Sequence, residues 1–116
     1  MRYLTGLSLL SLLTFQCHES SIEPTGCPAD GIQTKIAELQ AKPKGNPAYE
    51  VWAYKYQGRR VYLVTSSCCD QYITLYDACL NVLCAPSGGL TGHGDGGCPQ
   101  FYQEATDKQL VWRDPR

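Results

Sequence analysis

Seven cysteines in a chain of 116 residues constrain this fold more than any other feature. Six of them, Cys27, Cys68, Cys69, Cys79, Cys84 and Cys98, fall between residues 27 and 98. An even number of cysteines in a small exported domain reads as a disulfide framework, because such a domain buries too little apolar surface to be stable without cross-links. Six cysteines allow fifteen pairings, and spacing alone does not choose among them. Bonding Cys68 to its neighbour Cys69 would distort the peptide between them, so these two are expected to reach different partners. Zinc is disfavoured: Cys79 and Cys84 fit ligand spacing loosely, and the two histidines, His18 and His93, lie far apart. No C-x-x-C motif suggests a redox enzyme. No metal or cofactor is expected.

The seventh cysteine, Cys17, sits elsewhere and has a different meaning. It follows an apolar run from Tyr3 to Phe15, preceded by a single basic residue, Arg2. The run is about 13 residues, long enough for the core of an export signal and too short for a transmembrane helix. No pair of small residues marks ordinary secretory cleavage beyond it. The segment Leu13-Thr14-Phe15-Gln16-Cys17 instead resembles a bacterial lipobox, with Gln16 and Phe15 departing from the usual small residues. Residues 1–16 are therefore expected to be a lipoprotein-type signal peptide. Cys17 is the expected lipidation site and the attachment to the membrane, since several acyl chains give stable anchoring. His18 to Gly26 is polar and reads as a tether. The cysteine-rich domain is expected to span 27–116. Loss of the signal takes away only Arg2 and leaves a mildly acidic domain without a basic run, which excludes nucleic acid as the expected partner.

Within that domain the periodicity predicts one helix and two hairpins. Ile32, Ile36 and Leu39 recur at helical spacing between Asp30 and Ala41. Asp30 is a candidate cap, Gln33 stands in capping-box position, and Pro43 ends the helix. Lys35, Glu38 and Lys42 belong to its solvated side. From Val51 the period becomes two. Strands Val51–Tyr56 and Arg59–Thr65 are joined by Gln57-Gly58, which places Trp52 opposite Leu63 and Tyr54 opposite Val61. That aromatic and aliphatic face is expected to receive the helix, with Lys55 and Arg60 sharing the other face. Ile73–Tyr76 and Val82–Cys84 form the second hairpin, with Asn81 as the left-handed turn residue. Leu110-Val111-Trp112 adds a short last strand. The fold class is α+β: one N-terminal helix on a small antiparallel sheet, stapled by disulfides.

Candidate chemistry concentrates in the glycine-rich loop Ser87 to Gly97, which Cys84 and Cys98 bracket. It lacks the lysine of a phosphate-binding P-loop. It has one aspartate, whereas a calcium loop needs several oxygens, to which Asp70 and Asp77 would have to contribute. His93 has no nucleophile in a recognisable pattern. Leu90, His93 and Asp95 are accordingly read as a binding loop, with no catalytic residues and no metal. The aromatics Trp52, Tyr54, Tyr56 and Tyr62 are read as packing rather than as a sugar platform.

The stretches Cys68-Cys69-Asp70, Leu75-Tyr76-Asp77, Cys84-Ala85-Pro86, Gly88-Gly89, Thr91-Gly92, Gly94-Asp95-Gly96 and Cys98-Pro99 resemble a family of small bacterial lipoproteins of unknown function. The tail Leu110 to Pro115 is similar too. The resemblance implies an exported, cysteine-bonded domain with no assigned activity. Together these readings give a non-enzymatic, lipid-anchored module of the bacterial cell envelope. It would be held in the outer membrane, face the periplasm or the cell surface, and bind a protein or a glycan. A small secreted inhibitor is a narrower version. The alternative is a small hydrolase or metal-dependent enzyme using His93 and Asp95.

Overall fold

The computed structural model describes residues 26–28, 30–65, 67–68 and 70–116. The signal segment, Cys17 and the tether up to residue 25 lie outside the described residues, as does Cys69. The elements are helix α1 (Gly31–Ala41), strands β1 (Glu50–Tyr56), β2 (Arg59–Val64), β3 (Tyr72–Asp77) and β4 (Val82–Gly88), the single turn α2 (Phe101–Glu104) and strand β5 (Thr106–Arg113). Five strands form one sheet in the order β4-β3-β2-β1-β5, and every neighbouring pair is antiparallel.

The β1–β2 hairpin has the anticipated register, Trp52 opposite Leu63 and Tyr54 opposite Val61. Gln57 and Gly58 both take positive φ, 51° and 74°, as a two-residue turn matched to strand twist requires. In the β3–β4 turn the left-handed residue is Leu80, with φ 62°, not Asn81. Asn81 serves the turn differently: its backbone N–H donates to Asp77 Oδ1 at 2.9 Å.

Helix α1 differs from expectation at its start and in the face it covers. Asp30 precedes it, but the Asp30 side chain accepts no capping bond. The Asp30 main-chain oxygen instead accepts the N–H groups of Gln33 and Thr34 at 2.9 and 3.2 Å. The helix buries Ile36 and Leu39 against Val51 and Val64, with Ile32, Tyr62 and Tyr76 around them. This is the opposite face from Trp52 and Tyr54. The reason lies in the strand order. β4 and β5 occupy opposite edges of the sheet, so the chain between them must cross it. It crosses on the Tyr54 face and brings Phe101 onto Tyr54, Tyr56, Val61, Leu63 and Leu75. The crossing segment thus takes the larger aromatic face, and the short apolar stripe of α1 is left with the smaller valine face. The platform aromatics separate accordingly: Tyr54 and Tyr56 are buried beneath Phe101, and Tyr62 lies on the helix side.

Disulfides join Cys27 to Cys79 and Cys84 to Cys98. Cys68 is also disulfide-bonded. The expected separate bonding of Cys68 and Cys69 involves Cys69 and so lies outside the described residues. The first bridge fastens the approach to α1 to the β3–β4 turn. The second joins two buried cysteines, and it is part of the core with Phe101. Among the described residues no helix is long and apolar enough to cross a membrane.

Candidate functional site

The loop that follows β4 owes its shape to its own main chain. Gly88 pairs with His93 in an isolated bridge. Gly94 N–H donates to the Gly88 oxygen, and Asp95 N–H to the Ala85 oxygen, both at 3.0 Å. Gly89 N–H reaches the Gln71 oxygen at 3.1 Å, which ties the loop to the start of β3. The closest approach is at Gly94, whose φ is +74° and where an added Cβ would stand 2.0 Å from the Ala85 oxygen. Glycine is required there by both conformation and space. The Cys84–Cys98 bridge closes the loop at its base, and the Ser87 and Tyr102 hydroxyls bond across it at 2.7 Å.

The three loop residues singled out from the sequence have different surroundings. Leu90 is 88% exposed, more than any other large hydrophobic residue among those described. His93 is exposed, and its backbone N–H donates to Thr91 Oγ1 at 3.3 Å. Asp95 faces inward along its own loop: Oδ1 accepts the Gly97 N–H at 2.8 Å. The Gly97 and Ala85 backbone contacts hold its carboxyl below the usual carboxylate range. No hydrogen bond or ion pair joins His93 to Asp95 among the described residues, and no group of three His, Cys, Asp or Glu side chains is placed to hold a metal. Asp77 is engaged with Asn81 at the far end of β3.

A second concave feature lies at the other side of the sheet, and of its charged residues the sequence pattern singled out only Lys55 and Arg60, as sharing the face away from the aromatics. Where β1 turns into β2 and β5 begins, an open cleft of about 460 Å³ is lined by Lys55, Arg59, Arg60 and Lys108, with Asp107 as its one carboxylate. Lys55 and Arg60 are direct cross-strand partners. Their juxtaposition was visible in the hairpin pattern. The contribution of β5 was not, because it depends on a bulge: Ala53 pairs with Gln109 but Lys55 with Thr106, so Asp107 and Lys108 together span the step. Asp107 sits in the left-handed region with φ 55°. Lys108 Nζ lies 4.4 Å above the Trp52 ring, and Arg60 is held by Tyr62, with Nε 3.0 Å from the hydroxyl.

A family model described as a domain of unknown function, DUF6970, matches residues 37–114, from within α1 to the end of β5. No curated protein and no solved structure matches the chain.

Proposed function

This chain belongs to the DUF6970 family, and from that premise we propose that it is an exported, lipid-anchored binding module of the bacterial envelope without enzymatic activity. Acylation of Cys17 would hold it in the outer membrane, and the polar tether would carry the domain into the periplasm or beyond the surface. The observation that carries the binding role is the contrast within the loop at 88–98. Its backbone is restrained by a disulfide and by main-chain bonds, yet it displays Leu90 almost fully to solvent. A restrained loop loses little entropy on binding, and burial of one leucine contributes about 1.5–3 kcal/mol. A protein surface suits this contact better than a glycan, since of the tyrosines weighed as a sugar platform Tyr54 and Tyr56 are buried beneath Phe101 and Tyr62 lies on the helix side. Use of Asp95 as a general acid or base has little support, because its carboxylate already serves the Gly97 amide.

Two measurements in a Gram-negative host test the reading. The full chain should incorporate labelled fatty acid, and Cys17→Ser should abolish this; a soluble wild-type protein beginning beyond Cys17 would remove the anchor. A photo-crosslinking side chain at position 90 should give a discrete adduct that the same group at exposed Val82 does not. Equal or absent adducts at the two positions would remove the binding loop.

A further inference from the structure

We propose that the cleft at the β1–β2 turn is an anion site that takes a phosphate ester, separate from the loop around Leu90. Four observations point there. Lys55 and Arg60 face each other across the hairpin next to its turn, a position where like charges disfavour the sheet. Arg59 and Lys108 also line the cleft, whose single carboxylate is Asp107, although the Lys108 ammonium itself stands over the Trp52 ring. No ion pair among the described residues involves any of these four cations. The ion pairs among the described residues lie elsewhere: Glu38 with Lys35, Glu50 with Arg113, Asp114 with Arg116. In a chain of net charge −1, this places uncompensated positive charge at one end of the sheet. Finally, α1 covers this face only at its opposite end, around Val51 and Val64, which leaves the cleft open.

The chemistry of the lining selects the ligand class. The Arg60 guanidinium and the Lys55 ammonium, paired beside an open cleft, favour a compact, multiply charged oxyanion, and an arginine fork matches phosphate oxygens in pairs. The cleft size falls within the usual range for small ligands, roughly 300–1,000 Å³. Its lining is too charged to reward an apolar ligand. A phosphate ester could be presented by a lipid headgroup or by a soluble phosphorylated compound, and both would make the same contacts.

The test uses the full chain carrying Cys17→Ser, so that no acyl anchor contributes. Titration with sodium pyrophosphate, followed by amide NMR, should give saturable shifts at Lys55, Arg59 and Arg60 that weaken as salt rises. Sedimentation with vesicles of phosphatidylcholine containing about 30% phosphatidylglycerol, against phosphatidylcholine alone, reports the membrane source. Binding to pyrophosphate alone assigns a soluble ester, and binding to anionic vesicles alone assigns a headgroup. In either case Lys55→Gln with Arg60→Gln should weaken binding by about tenfold or more. The same substitutions remove a like-charge pair, so the free protein should melt about 1–4 °C higher. Loss of binding with gain of stability marks a ligand site. No saturable binding to either probe, binding indifferent to the two substitutions, or a lower melting temperature would overturn the proposal.

Discussion

Arg116 closes on Asp114 with two prongs, Nη2 to Oδ2 at 2.7 Å and Nε to Oδ1 at 3.0 Å. Asp114 is only 4% exposed, and its backbone N–H donates to the Tyr49 oxygen at 2.9 Å. Arg116 goes on to donate to the Lys42 and Leu39 oxygens at 3.0 and 3.4 Å. One side chain thus neutralises a buried carboxylate and satisfies carbonyls at the end of α1, where a cation also complements the helix dipole.

This pairing sets a pH dependence. The hydrogen bonds from Arg116 hold the Asp114 carboxyl below its ordinary value of 3.8. A carboxyl depressed in the folded state stabilises the fold above its unfolded pKa, and that contribution is lost as pH falls through the folded one. Melting temperature should therefore drop below about pH 4 in the wild type and drop less steeply in Asp114→Asn. Arg116→Ala should destabilise at neutral pH more than Lys35→Ala, because it strands a buried charge whereas Lys35 pairs with an exposed Glu38.

Phe101 should be the most costly single truncation in the core. It is fully buried and meets the rings of Tyr54 and Tyr56 edge-on, at 5.1 and 5.2 Å between centroids. It is also the residue by which the β4–β5 crossing grips the sheet. Phe101→Ala should cost about 3–5 kcal/mol in denaturant unfolding. A cost near that of an exposed residue such as Tyr102 would show that the crossing is not seated as described.

Much of this architecture is legible in the residues, and the parts that are not share a cause. The Trp52–Leu63 register follows from a two-residue turn and alternation, both local. The face that α1 covers does not, because it is decided by where the β4–β5 crossing runs, a consequence of strand order. The length of β5 was hidden for a similar reason. Thr106 to Gln109 is exposed and carries no alternating pattern, so only pairing with β1 reveals it as strand. In the candidate loop, its closure by Cys84 and Cys98 matches the bracketing seen in the sequence. The engagement of Asp95 with Gly97 could be read from Asp-x-Gly only as one of several uses for an aspartate.

Two glycines of the loop should respond differently to the same substitution. Gly92 and Gly94 have nearly equal φ, +77° and +74°. A Cβ on Gly92 meets nothing within 4 Å, whereas one on Gly94 meets the Ala85 oxygen at 2.0 Å. Gly92→Ala should cost about 1–2 kcal/mol, the penalty of the left-handed conformation alone. Gly94→Ala adds an overpacking cost and should reach about 2–5 kcal/mol. Comparable losses in urea unfolding would show that the loop does not lie against β4.

Asp95→Ala should loosen the loop without unfolding the domain. The carboxylate organises the turn through the Gly97 amide, and it is exposed, outside the buried core. The Gly97 amide should exchange faster with solvent while the amides of β1 and β2 keep their protection. Global loss of protection would make Asp95 a structural determinant of the whole domain.

Reduction should act on this protein in two distinguishable steps of severity. The Cys84–Cys98 bridge spans 14 residues of sequence and the Cys27–Cys79 bridge 52. Cross-linking restricts the unfolded chain more when the closed loop is longer, so the expected contributions are about 3 and about 4 kcal/mol. The shorter bridge should nevertheless matter more to the candidate site, since it fixes the base of the loop that displays Leu90. Replacing Cys84 and Cys98 together by alanine should lower stability by about 3 kcal/mol, leave the β1–β2 amides protected, and broaden the NMR signals of 88–97. Replacing Cys27 and Cys79 should lower stability at least as much but leave those loop signals sharp. If the loop stays sharp without its own bridge, main-chain bonds such as Gly94 to Gly88 suffice to hold it, and the disulfide serves the core beneath Phe101 instead.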